Sequence, residues 1–137
     1  MKYITGIHAL NLPCKLDTVG DWHQSAIQWN HPQIRESTES VFGDYGIEPG
    51  HHIPEHEGTY YYAADTIRAL LDMLDSGDFT NAQGMNHAFI DNSDYDNEVF
   101  SKVLLLRKNS NWDAIDHFME NEYKMKWVRF KEAQEIG

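Results

Sequence analysis

Three histidines, His51, His52 and His56, fall within the run His-His-Ile-Pro-Glu-His-Glu, beside Glu55 and Glu57. Imidazoles four residues apart share one face of a helix, so His52 and His56 have the spacing of a paired metal ligand. Pro54 stands between them, removes a helical hydrogen bond, and leaves the run without the His-Glu-x-x-His order. The expectation is a polar surface loop and no metal centre. The acidic run Asp91-Asn92-Ser93-Asp94-Tyr95-Asp96-Asn97-Glu98 resembles a calcium loop only in composition. It lacks glycine at the sixth position, and counting twelve residues from Asp91 or Asp94 reaches Lys102 or Leu105, not glutamate. It reads instead as a solvated turn that caps the following helix. Cys14 is the only cysteine, which excludes an intrachain disulfide framework and a cysteine-rich zinc site. His8 and His23 lie near it in sequence, but no motif makes it a nucleophile, and a lone cysteine usually fills space in a core. The chain has no Gly-x-Ser-x-Gly elbow, no phosphate-cradling glycine loop and no dinucleotide fingerprint. No cofactor is expected.

Two stretches combine a turn glycine, an aspartate and a large aromatic. The first is Gly20-Asp21-Trp22-His23, and the second is Phe42-Gly43-Asp44-Tyr45-Gly46. Aromatic rings supply much buried area at little entropic cost, so such loops suit a rigid contact surface. Asp21, Trp22, Asp44 and Tyr45 are therefore candidate partner-binding residues. The competing reading gathers Asp21, His23 and Asp44 into a loop-built acid–base site, because histidine titrates near neutrality and a carboxylate can orient it.

Charge separates these readings. Aspartate and glutamate total 22 against 11 lysines and arginines, a net charge of −11. Phosphate contacts need clustered cations, so direct nucleic-acid binding and docking on an anionic membrane are disfavoured. Between Ala69 and Ser101 there are Asp72, Asp75, Asp78, Asp91, Asp94, Asp96 and Glu98 but no lysine or arginine. Asp72, Asp75 and Asp78 are expected to form an acidic docking face for a basic protein. The expected function is an acidic, non-enzymatic binding protein, antitoxin-like or inhibitory, whose basic partner belongs to a class that includes nucleic-acid-handling proteins. The alternative is a small enzyme using Asp21, His23 and Asp44.

The elements that must position these residues differ between the two parts of the chain. All four prolines lie in residues 1–58, which lack a sustained helical period and read as short strands and turns. Strand candidates are Tyr3 to Leu10, Asp21 to Trp29 and Val41 to Ile47. From Thr59 onward, Tyr61, Ala64, Ile67, Leu71 and Leu74 recur at helical spacing, and the pattern stops near Ser76-Gly77. Thr80 is placed to cap a short helix, and Val99, Phe100, Val103 and Leu104 form another helical face. Ser110 with Asp113 resembles a capping box that opens one long helix carrying Trp112, Ile115, Met119, Tyr123, Trp127 and Phe130. The expected architecture is α+β: a small, irregular antiparallel sheet in the N-terminal third, packed on three or four helices. One domain, 1–137, is expected, with a strand- and turn-rich part (1–58) and a helical part (59–137). The start lacks the apolar run of a signal peptide and no stretch is long enough to span a bilayer, so a cytoplasmic protein is expected.

The strings YITGIHALNLPC, GDWHQSAIQW and FGDYGIE resemble a group of small bacterial proteins from toxin–antitoxin and mobile-element neighbourhoods. That resemblance implies a protein that neutralises a co-encoded partner, and it supplies no catalytic residues.

Overall fold

The computed structural model describes residues 1–16, 27–56, 58–90 and 92–136, the last two of these through their backbone only. The fold is α+β. Four strands, β1 (Lys2–Ile4), β2 (Ile34–Glu36), β3 (Ile47–His51) and β4 (Tyr61–Ala64), form one sheet in the order β2-β1-β4-β3. The sheet is mixed: β1 pairs antiparallel with β2, β3 antiparallel with β4, and β1 parallel with β4. The parallel pair departs from the expected antiparallel sheet. It arises because the chain leaves β1 through a helix and a long excursion before returning as β4.

The described residues divide into two compact units, Met1–Asp72 and Met73–Gly137. In the first, α1 (Gly6–Leu10) follows β1 and buries Ala9 and Leu10. The opening stretch is thus a three-residue strand and a short helix, not one strand through Leu10. Ile27 to Trp29 is not strand, Val41 to Gly46 is a series of turns, and β3 begins only at Ile47. Tyr61 to Ala64 is strand, not the first turn of a helix. Asp65 then accepts the Arg68 amide at 2.8 Å and caps α2 (Thr66–Ser76), whose apolar residues Ile67, Leu70, Leu71 and Leu74 are fully buried.

The second unit is helical, with α3 (Phe79–Ala82), a π-turn at Met85–Phe89, α4 (Asp96–Val103), α5 (Trp112–Tyr123) and α6 (Met125–Ile136). Its core includes Ile115, Met119, Tyr123 and Trp127, the face expected of one long helix. That helix is instead two, broken at Lys124, whose φ of 58° and ψ of −132° no helix accommodates. Around Phe100 the rings of Tyr123, Trp127 and Phe130 sit edge-on at centroid distances of 4.8, 5.5 and 5.4 Å. The Glu122 carboxylate accepts the Asn86 amide at 3.2 Å and fastens the π-turn to α5. No helix among the described residues is long and apolar enough to cross a membrane.

Candidate interaction loop

Arg68 decides the character of the first unit. It is fully buried on α2, where an unpaired guanidinium would be prohibitively costly, so its partners must come with it. Nε donates to Asp72 Oδ1 at 3.0 Å, one helical turn on. Nη2 donates to the Tyr3 hydroxyl at 2.7 Å, and the Tyr3 hydroxyl donates to Asp72 Oδ2 at 2.6 Å. Thr5 donates to the same carboxylate oxygen at 2.6 Å, and Arg35 Nη1 lies 3.4 Å from Oδ1. The network thus ties two strands to the helix and balances the buried carboxylate with two arginines. Burial first, and then the bond to Asp72, push the Tyr3 hydroxyl well above the ordinary tyrosine range.

The remaining Arg68 donors hold a loop. Nη1 donates to the carbonyls of Gly43 at 2.7 Å and Tyr45 at 2.6 Å, and the guanidinium lies 5.4 Å from the Phe42 ring centroid. Phe42 is buried beneath the loop. Consecutive turns complete it: Ser40 N–H donates to Ser37, Gly43 to Ser40, Tyr45 to Phe42 and Ile47 to Asp44. Gly46 at φ 71° closes it, where a β-carbon would lie 2.7 Å from Arg68 Cβ and 3.0 Å from Asp65 Oδ1. Such an approach leaves room for glycine alone. The outer surface of the loop carries Glu39, Val41 and Asp44, all exposed, with Val41 57% exposed. Residues 37 to 46 contain no lysine or arginine.

Of the candidates drawn from the sequence, the structure brings Asp44 and Tyr45 together in this loop. Asp44 is exposed, and Tyr45 is half-buried with its carbonyl pinned. Asp21, Trp22 and His23 lie outside the described residues. Asp72 is not part of an exposed acidic face: it is 2% exposed and spent on Arg68, Arg35, Tyr3 and Thr5. Asp75 is half-buried and accepts Asn109 Nδ2 at 2.7 Å. Asp78 caps α3, accepting the Asn81 amide and side chain at 3.4 and 2.9 Å. The spacing that placed these three on one surface instead serves helix capping and packing. The sequence reading passes over Arg68, although its signal is present: opposite charges four residues apart within an otherwise apolar helical run.

The histidine run does not converge. His51 Nε2 lies 3.1 Å from Glu48 Oε1, His52 packs on the Tyr60 ring at 4.1 Å, and His56 bonds the Trp29 carbonyl and the Tyr61 hydroxyl. Among the described residues no three histidine, cysteine or carboxylate side chains gather as a metal site. Cys14 Sγ lies 3.6 Å from Thr66 Oγ1. In the second unit, an open cleft of about 290 Å³ is lined by Leu104, Arg107, Trp112, Asp116, Lys131 and Gln134. Burial opposes the charged form of Asp116, but Lys131 at 2.7 Å and the Trp127 indole at 2.8 Å outweigh it. They hold the carboxyl below its usual range. A carboxylate so held is ionised at neutral pH and has no proton to give, so this cleft lacks a general acid in Asp116.

Compared with protein-family models, with curated proteins and with solved structures, the chain matches none.

Proposed function

We propose that this chain is a non-enzymatic binding protein that docks on a basic partner protein through the loop Ser37–Gly46, as an antitoxin-like or inhibitory factor. The observation that carries the reading is the pinning of that loop by Arg68 from beneath. A loop ordered before the encounter loses little conformational entropy on binding. Its exposed side chains are two acids around an aliphatic residue, which suits a cationic surface with an apolar pocket. The net charge of −11 favours the same class of partner through long-range attraction.

The test is retention of a partner from the native host on immobilised protein, comparing wild type with Glu39→Lys/Asp44→Lys. Both positions are exposed, so circular dichroism and urea unfolding should match the wild type. A basic protein retained by the wild type and lost from the variant supports the reading. Equal retention by both, or no basic protein retained by either, defeats it.

A further inference from the structure

The strand that leads into the loop carries the inference, which rests on the proposed function and specifies how the partner engages. Among the described residues, the two edges of the sheet are β2 and β3. An open edge offers unpaired N–H and C=O groups to any extended chain, and proteins normally blunt such edges. The β3 edge is blunted. Pro49 has no N–H to donate, and Pro49 and Gly50 together oppose a single residue of β4, a bulge that Gly50 permits at φ 77°. The β2 edge, Ile34-Arg35-Glu36, has neither proline nor bulge.

The register shows which groups face outward. Thr5 N–H donates to the Gln33 carbonyl and Ser37 N–H to the Met1 carbonyl, each at 2.9 Å. In an antiparallel pair the residues directed at the partner strand alternate with those directed away. Gln33, Arg35 and Ser37 therefore turn toward β1, and Ile34 and Glu36 turn their main-chain N–H and C=O away from the sheet. Among the described residues, no hydrogen bond from outside the sheet reaches the backbone of Ile34 or Glu36. The Ile34 side chain is 46% exposed. Past the end of the strand, the chain runs directly into Glu39, Val41 and Asp44. The Glu36 carboxylate is engaged by the N-terminal ammonium and the Thr38 amide, so the charge available to a partner comes from Glu39 and Asp44.

We propose that β2 is a strand-addition site: an extended, lysine- or arginine-bearing segment of the partner pairs with the outward groups of Ile34 and Glu36 and places its cations against Glu39 and Asp44. Main-chain bonds would supply register, and alternate side chains would supply specificity. A second copy of this chain is the weaker occupant on electrostatic grounds, because two molecules of net charge −11 repel.

The probe is an acetylated, amidated peptide of alternating lysine and valine. Its comparisons are the same peptide N-methylated on its ladder-forming amides, and an alternating glutamate–valine peptide. Amide NMR and hydrogen exchange on the full chain should show the Ile34 and Glu36 amides shifted and protected by the lysine peptide alone. Ile34→Pro removes an N–H that β1 does not use, so the sheet should survive while affinity falls by about tenfold or more. Binding of the N-methylated peptide as tight as the parent, or protection that avoids Ile34 and Glu36, would overturn the proposal. This comparison holds on wild-type protein even if the proline variant does not fold. A dimer seen by sedimentation without peptide and lost in Ile34→Pro would assign the edge to a second copy and overturn it as well. If the native partner is retained by Ile34→Pro as by wild type but lost from Glu39→Lys/Asp44→Lys, the loop stands and the strand-addition site falls.

Discussion

Asp72 shows how much of this molecule turns on a single carboxylate. It accepts hydrogen bonds from Arg68, Tyr3 and Thr5 and faces Arg35 at 3.4 Å, is 2% exposed, and its charge is the counterpart of a guanidinium with no exposure at all. Removing one partner of such a pair leaves the other charged and buried. Asp72→Ala is therefore expected to destabilise the fold by about 3–5 kcal/mol in urea unfolding. Arg68→Lys keeps the charge but replaces a planar fork with one ammonium, which cannot serve two carbonyls, a phenol and a carboxylate together. It should loosen the Ser37–Gly46 loop as well as the core, visible as faster amide exchange at Gly43 and Tyr45. Tyr3 makes a second, pH-dependent contribution. Its folded-state pKa is raised, so the stability it confers is complete below the unfolded value of 10.0 and is lost as pH rises above it. Tyr123, raised by burial and then by Asp96 and Glu122, acts in the same direction. Alkaline titration followed by ultraviolet absorbance should show these two phenols ionising only as circular dichroism is lost. Early ionisation of all seven tyrosines in a still-folded protein would contradict the buried network.

Elements were legible where burial and period coincide, and illegible where short apolar runs fit two periods. The helical face from Ile67 to Leu74 and the core positions Ile115, Met119, Tyr123 and Trp127 follow from spacing alone. Tyr61 to Ala64 fits the same helical spacing, but pairing with β1 and β3 outweighs it and makes a strand. The break at Lys124 has no glycine or proline to announce it. A backbone in that region costs a non-glycine residue energy that surrounding packing must offset. The candidate loop was half legible. Asp44 and Tyr45 stood out by type, whereas Glu39 and Val41 gained their meaning only from Arg68 beneath them. Two glycines in that loop make a matched test. Gly46→Ala meets both a positive φ and atoms at 2.7 and 3.0 Å, while Gly43→Ala, at φ 52°, has nothing within 4 Å. Both substitutions bear a cost of roughly 1 kcal/mol for the backbone conformation, and Gly46→Ala should add about 1–3 kcal/mol for the steric conflict. Thermal unfolding of the two variants measures the difference, and equal midpoints would mean that the loop does not approach α2 as closely as described.

At the scale of the whole molecule, the sequence showed that charge is abundant but not which charges are available to a partner. Asp72 neutralises the buried Arg68, Asp75 receives Asn109 and Asp78 caps a helix, so reversing these three should cost folding stability before it costs binding. Glu39 and Asp44 remain exposed on a fixed loop. If they meet a basic partner, their contribution is mainly to the encounter, because attraction between separated charges guides approach and is screened within about 8 Å at physiological salt. Once the partner is in hand, stopped-flow association at two ionic strengths tests this. The wild-type rate constant should fall by roughly tenfold or more between low and high salt, and Glu39→Lys/Asp44→Lys should slow association at low salt while losing that salt dependence. Val41→Ala should behave differently, leaving association nearly unchanged and accelerating dissociation, since an aliphatic contact acts after the partners have met. An association rate indifferent to salt and to both reversals would leave these acids as solubilising charge only.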